Sequence, residues 1–372
     1  DTLSHEQDSM KFETVMKLFF SQKLALLALA SVIALHAKPL PASTIQQTPI
    51  ERIAFGSCAD QQESLAIFDT ITQVNPDIFV FLGDNVYAED ESDDPLLRSL
   101  TEAYDALGNS PAFQRLSDKI PLYATWDDHD YGLNDAGEEF RHKAASERLF
   151  ETFWNIPPGD PSIARPGVYR AVSFGPVGRR VQLILLDTRS FRSGLEKPLL
   201  PPAHGRYTPT SADAQSILGT AQWSWLQAEL AQPADVRLIA SSIQVLADGH
   251  QWEAWRLFPA EQERLIRMIS EAPGTTLVLS GDRHLAGIYF DKDRSSTPIL
   301  ELTSSSLNLP LTSIVSNIKV EPGPYRLGEP FFEANFGLIE IDWQARRLHA
   351  AIKDQGHQTV RSVSLSLDHS GQ

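Results

Sequence analysis

Short apolar runs rich in β-branched and aromatic residues alternate with helix-patterned segments along most of this 372-residue chain. The runs are Ile53–Phe55, Ile78–Leu82, Leu122–Thr125, Val181–Leu186, Leu238–Ser242, Thr276–Leu279 and Leu300–Thr303. The expected helices are Glu63–Gln73, Leu96–Gly108, Pro111–Lys119, Ala144–Trp154, Gln222–Ala231 and Ala260–Ser270. Strands that are separated by helices pair in parallel, so this alternation predicts an α/β protein with a largely parallel centre. A hairpin is expected near the end, from Phe336–Ile341 and Leu348–Ile352 around a polar turn. Pro198–Pro209 and Leu307–Pro330 are rich in Pro and Gly and read as long surface loops, which in compact domains are often functional. There is no internal repeat, and no composition break marks a second domain beyond the start of the chain.

Composition narrows the class. Hydrophobic residues are 42% and charged residues 22% of the chain, as in globular proteins. With 48 acidic and 32 Lys+Arg residues the formal net charge is −16, which argues against a nucleic-acid or anionic-membrane partner. Leu24–Leu35 reads LALLALASVIAL, an apolar run of 12 residues, preceded by Lys17 and Lys23 and closed by small residues such as Ala34 and Ala37. That is the layout of a secretory signal peptide, and the run is too short to span a bilayer. The expected division is residues 1–42 as an upstream extension and signal peptide, with Met16 as start and cleavage near Ala37 or Ala42, then a domain over 43–372. No arginine pair precedes the run, so the signal is of Sec type, and the mature chain is expected to be periplasmic or secreted without stable membrane insertion. Cys58 is the sole cysteine. In an oxidising compartment it is either buried and inert, or bridged to another chain, or a metal-bound thiolate.

Four strands run directly into loops dense in ligand-type residues. They are Gly56-Ser57-Cys58-Ala59-Asp60, Gly83-Asp84-Asn85-Val86-Tyr87, Trp126-Asp127-Asp128-His129-Asp130 with Asn134 and Asp135 downstream, and Ser280-Gly281-Asp282-Arg283-His284. In open α/β sheets ligands sit outside the carboxyl ends of the strands, so the four loops should converge. Thiolate, phenolate, carboxylate and imidazole together are a metal inventory. Crowded carboxylates without a cation repel one another, and a metal pair bridged by a carboxylate such as Asp84 removes the conflict. Gly83 and Gly281 would let the backbone turn tightly beneath the metals.

These loops, in this order, resemble the calcineurin-like metallophosphoesterases, and in detail the PhoD-like (alkaline phosphatase D) branch. The resemblance covers about Arg52 to Leu307 and includes the Asp187-Thr-Arg189-Ser-Phe-Arg192 run and the Gln222-Trp-Ser-Trp225-Leu segment. It implies a four-layer α-β-β-α sandwich with the metal site at the carboxyl ends of the strands. It also implies an iron ion held by Cys58, Asp84, Tyr87 and His284, and a calcium ion held by Asp84, Asn134 and Asp282. Other divalent metals are possible, and Asp128 and Asn134 are rival or joint ligands. His129 falls where the superfamily has its leaving-group acid, and Gln244 where it often has another metal histidine. Arg189 or Arg283 would clamp phosphate, unless Arg189 simply pairs with Asp187. The implied chemistry is in-line attack on phosphorus by a hydroxide activated at a dinuclear metal site, on a small-molecule phosphate ester, by a monomer.

Two other readings remain open at this stage. A phospholipase D-type diesterase would be favoured by an apolar rim of Leu307, Leu309 and Leu311. A non-catalytic extracytoplasmic binding protein could use the same scaffold. Trp223, Trp225, Trp252 and Trp255 are expected to be packing residues, and Glu89–Asp94 a solvated acidic loop. His36, His204, His250, His349, His357 and His369 are expected to be surface or core residues.

Overall fold

The computed structural model describes residues 44–88, 94–200, 202, 205–211, 215–294, 297–314 and 323–367. The signal segment, His36, His204, His369, residues 89–93 of the acidic run and 315–322 of the second Pro-rich loop lie outside the described residues. In chain order the elements are β1 (Thr44–Gln46), β2 (Arg52–Gly56), α1 (Ala66–Val74), β3 (Ile78–Leu82), α2 (Arg98–Asn109), α3 (Pro111–Ser117) and β4 (Leu122–Thr125). Next come α4 (Asp128–Tyr131), α5 (Lys143–Phe153), β5 (Arg170–Phe174), β6 (Val181–Leu185), α6 (Gly219–Leu230), β7 (Val236–Ser241) and α7 (Pro259–Glu271). The rest are β8 (Thr275–Ser280), β9 (Ala286–Asp291), β10 (Ile299–Ser304), α8 (Leu311–Ile314), β11 (Asn335–Asp342), β12 (Arg347–Asp354) and β13 (Thr359–Ser366).

The strands form two sheets, one ordered β1-β5-β6-β7-β8-β10-β9 and the other β13-β12-β11-β2-β3-β4. The first has a parallel centre, β6-β7-β8-β10, and the second a parallel end, β2-β3-β4, with β4 at its edge. Antiparallel β5 and β9 flank the former, and antiparallel β11 adjoins the latter at β2. Successive side chains of a strand point to opposite faces, and here both faces are apolar. Ile53 and Phe55 of β2 and Ile78, Val80 and Leu82 of β3 face Leu183, Leu238 and Leu277 of the other sheet. Ala54, Phe79 and Phe81 point the other way, against Ile67, Phe68 and Ile71 of α1 and Phe113 of α3. On the far side Ile184, Ile239 and Val278 pack on Leu226 of α6 and on Leu265 and Ile269 of α7. Three cores separate four layers, helices–sheet–sheet–helices, as the resemblance implied.

The two sheets are tied together where the site lies. Ser57, just past β2, forms a parallel bridge with Ser305, just past β10. Leu307 N–H donates to Ser57 O at 2.9 Å, and Ser57 N–H to Ser304 O at 3.1 Å. Loops leaving β2, β3 and β4 of one sheet are thereby held beside those leaving β8 and β10 of the other.

One surface group carries a pH signature of the fold. Glu147 on α5 accepts from Gly167 N–H at 3.0 Å. Burial, reinforced by the charges of Glu151 and Asp187 against that hydrogen bond, pushes it up to about 7. Between about 4.5 and 7 the native chain therefore holds a proton that the unfolded chain has released, so stability falls as pH rises through that window. Glu147→Gln keeps the acceptor and removes the charge. Allowing for solvent screening, it should stabilise by about 1 kcal/mol at pH 8 and by nothing near pH 4, read from denaturant unfolding at both pH values.

Candidate metal centre

The four expected ligand loops do converge, and they do so on a strained backbone. Cys58 (φ 60°), Asp84 (φ 49°), Asp282 (φ 68°) and His284 (φ 54°) all occupy the left-handed region. That region is sparsely used by residues with a Cβ, costs about 1–3 kcal/mol per residue, and clusters at functional sites. Two glycines permit the crowding. A Cβ on Gly83 (φ +107°) would lie 2.6 Å from Asp127 Cβ, and one on Gly281 would lie 2.5 Å from Ser57 Oγ. Gly83 thus makes the turn, whereas Gly281 serves a close approach between sheets.

Two ligand groups share one carboxylate. Donor atoms of Cys58, Asp84 and His284 lie within 4.8 Å of one another, and so do those of Asp84, Asp128 and His129. Cys58 Sγ and Tyr87 Oη both point at Asp84 Oδ2, at 3.5 and 3.2 Å. His284 Nδ1 donates to Leu309 O at 2.6 Å, because a carbonyl can only accept, and this leaves the Nε2 lone pair as its ligating site. Asp128 Oδ2 accepts from Asp135 N–H at 2.6 Å. The Tyr87 ring lies 4.3 Å from that of His129 and 6.2 Å from that of His284, centroid to centroid. Asp282 stands outside the two groups, yet close enough to Asp127 and Asp128 to feel their charge.

Electrostatics show what such a cluster needs. Burial pushes the Cys58 thiol up to about 11. Burial, then the charges of Cys58 and Asp128, holds Asp84 well above the usual carboxylate range. Burial followed by Asp84 does the same to Tyr87, and removal from water followed by Asp127 to Asp282. Asp128 goes the other way. Burial would raise it, but His129, Arg189 and the Asp135 N–H outweigh that and lower it. Burial lowers His284 to about 4, so its imidazole is neutral and ready to ligate. A cation is the group that would ionise thiol, phenol and carboxyl together. The donors fit one, and Asp127 Oδ2 is buried with no hydrogen-bond partner.

Beneath the ligands lies a second set of buried charges. Asp130 is the junction of the loops. Its Oδ1 accepts from Asp127 N–H at 2.7 Å and Asp84 N–H at 3.2 Å, while its Oδ2 accepts from Asn85. Asp127 and Asp130 also make a capping box on α4. Arg189 is fully buried, with Nε 2.6 Å from Asp127 Oδ1 and Nη1 2.7 Å from Glu253 Oε2. Arg192 Nε lies 2.8 Å from Glu253 Oε1.

The model of the PhoD-like phosphatase family matches residues 53–351 of the chain. This chain belongs to the PhoD-like phosphatase family. Its fold is similar to that of a solved structure described as "Structure of PhoD", with TM-score 0.66 and 18% identity over 89% of this chain and 72% of that one. A Thermus thermophilus protein, TT1561, aligns with TM-score 0.34 at 10% identity over 86% of this chain and 100% of that one. A putative 5'-nucleotidase from Staphylococcus aureus aligns with TM-score 0.35 at 13% identity over 86% and 55%. Those two scores are too low to bear on the fold. No curated protein matches the chain.

As a PhoD-like phosphatase the chain is a phosphoric ester hydrolase with residue groups suited to metal. Several residue expectations need correcting. Arg189 cannot clamp phosphate as expected, because it is fully buried and bound by Asp127, Glu253 and the Ala136 carbonyl. It pairs with Asp127 rather than Asp187, which touches only its backbone N–H. Of the rival or joint ligands, Asp128 is buried with a donor atom near those of Asp84 and His129, and Asn134 is exposed further along the same loop. Gln244 spends its amide on Tyr289, Thr303 and His250 and is no ligand. Cys58 is fully buried, which rules out a bridge to another chain. Sequence reading gave no role to Asp130 or Glu253. The spacing Asp127-x-x-Asp130 ahead of a helical turn was the available signal for the first.

Asp130→Asn replaces an acceptor oxygen with a donor facing backbone N–H groups. Support residues of this kind cost about 10–100-fold in metal affinity or activity. The variant should stay folded by circular dichroism, bind metal at least tenfold more weakly by equilibrium dialysis, and lose activity in proportion.

Proposed function

We propose that this PhoD-like phosphatase hydrolyses small phosphoric esters outside the cytoplasm, by in-line displacement at phosphorus over a two-cation centre. The carrying observation is that Asp84 belongs to both ligand groups. Cys58, Asp84, Tyr87 and His284 would hold an iron-like ion, their thiol, phenol and imidazole suiting a borderline metal. Asp84 and Asp282, with Asn134 or Asp128 or both, would hold a harder, calcium-like ion through oxygen. When bound, the cations supply positive charge against the phosphoryl oxygens and acidify water.

The chain's own residues do the rest. Tyr87 packs against His129 and fixes the plane of its ring at the half-exposed edge of the site. From there a ring nitrogen can hold a proton for the departing alkoxide. Asp130 and Arg189 lock the loops from below, so ligand directions need not be reorganised during turnover. The phospholipase D-type reading loses a support, because Leu307 is fully buried against Gly56 and forms no rim.

Metal analysis with an absorption spectrum, on wild type beside Cys58→Ser, tests the centre. Bound iron with a visible charge-transfer band that weakens or shifts in the variant is expected, together with calcium. A metal-replete wild type lacking the band, or a band indifferent to Cys58, would refute the thiolate assignment.

His129→Gln separates two roles for that residue. As an acid it retains full metal content and loses kcat by about 10²–10⁴, most for esters with poor leaving groups. Loss of metal instead would make His129 a ligand.

A further inference from the structure

Beside the ligand cluster lies a feature that the hydrolysis of a simple ester does not require. Trp252 is flanked by two guanidinium groups, Arg206 Cζ at 5.4 Å and Arg283 Cζ at 5.9 Å from its ring centroid. Arg283 stands between the ligand candidates Asp282 and His284 in sequence. Arg206 reaches the cluster from the other side, its Nη1 3.8 Å from Asp135 Oδ2, while Asp135 N–H donates to Asp128. The rim therefore borders the oxygen-rich half of the site.

This rim is built rather than incidental. Arg206 N–H and Tyr207 N–H both donate to Gln251 O, at 2.8 and 2.9 Å, which ties the first Pro-rich loop to the segment carrying Trp252. Trp252 N–H donates to His250 Nδ1 at 3.1 Å, and His250 Nε2 donates to Gln244 Oε1 at 2.9 Å. Burial, then the charges of Arg283 and Arg256, keeps His250 well below its usual range, so the ring is neutral as both bonds require. Gln244, Tyr289 and Thr303 continue the support into the core. At the open end, the Arg206 side chain is 59% exposed. Asp135 Oδ2 already accepts from Tyr207 Oη at 2.5 Å, so it does not depend on Arg206.

We propose that Arg206, Trp252 and Arg283 form a cationic rim that binds a second phosphoryl group of the substrate, a short distance from the phosphorus being attacked. The proposal rests on the phosphoric-ester reading of the metal centre. Two arginines beside one aromatic ring, on a chain of net charge −16, concentrate positive potential at this edge. The guanidinium groups lie 5.4 and 5.9 Å from the Trp252 ring centroid, so the ring already has cations beside it and recognition rests on charge. Guanidinium forks match phosphoryl oxygens in pairs, which makes a second phosphate the fitting anion.

The test uses non-hydrolysable ligands on the metal-loaded protein. Propane-1,3-diphosphonate and propylphosphonate are titrated by calorimetry, with metal content checked afterwards. Wild type should bind the diphosphonate at least tenfold more tightly. Arg206→Ala should reduce that ratio to about twofold and Arg206→Lys should retain most of it, as expected for a lost charge-assisted bond. Arg267→Ala, an exposed arginine on α7, makes the same charge change elsewhere and should leave the ratio intact. Equal binding of both ligands by wild type, or an advantage that survives Arg206→Ala, overturns the rim while the ester reading stands. Failure to bind either phosphonate, with no hydrolysis of propyl phosphate or of dipropyl phosphate, overturns the ester reading and the rim together.

Discussion

Everything at the site depends on how one buried carboxylate, Asp84, is held. Its backbone is in the left-handed region, its N–H is fixed by Asp130, and its two oxygens face different partner sets. Around it stand Asp127, Asp128, Asp130 and Asp282, with Arg189 fully buried beneath them. Breaking a buried charge pair costs about 3–5 kcal/mol, so this set is tolerable only with strong counter-charge. The arginines answer part of that need from below. The open side of the cluster is left for cations, and the geometry of the whole region is compatible with that solution.

Such a cluster needs a frame that does not yield. The frame is the pair of sheets, whose parallel strands send their loops to the same end. Three apolar cores fix the layers, and the Ser57–Ser305 bridge fixes the carboxyl end of β2 against that of β10 at the site itself. The thiol of Cys58 then lies 3.1 Å from Ser305 Oγ, and His284 N–H donates to that same hydroxyl at 2.8 Å. One serine thus positions ligands that arrive from both sheets. Rigid strands carry the precision, while the loops carry the chemistry.

The sequence made much of this legible, for physical reasons that also explain the gaps. Strands β3 and β4 were readable to the residue, because they are short apolar runs bounded by turn chemistry. The flanking strand β13 was not, since a register shift opposite Ile352 and Lys353 puts Val360 out of step with Val363 and Leu365 and breaks the apolar alternation. Cys58, Asp84, Tyr87 and His284 could be named because each directly follows a readable strand and carries metal-type chemistry. Arg189 was misplaced because sequence shows the residue type but not which way a side chain leaves the sheet. A guanidinium beneath a carboxylate cluster and one above it look the same in one dimension. Asp128 and Asn134 both came from the resemblance, and the three-residue spacing from Asp127 to Asp130 sets the helical turn on which Asp128 lies.

The donor set also dictates how metal loading and protons compete. Cys58, Asp84 and Tyr87 are all raised by burial first; neighbouring negative charge adds to it for Asp84 and Tyr87, while hydrogen bonds from Ser305, Ser57 and Tyr87 partly offset it for Cys58. A cation must displace those protons, and the displacement is easier where fewer are bound. His284, lowered to about 4, is already neutral and contributes no proton to that exchange above mildly acid pH. Affinity at the sulfur-containing group must therefore rise with pH well beyond neutrality, and its steepness comes from thiol, phenol and the shared carboxyl. At the oxygen group Asp128 is lowered while Asp282 is raised by burial and Asp127, and Asp84 is the carboxylate common to both groups. A cation in either group would favour the ionised form of Asp84, which would prepare the other group while placing a positive charge beside it. In the proposed two-cation centre the balance of those opposed effects would set whether the cations load together or in turn.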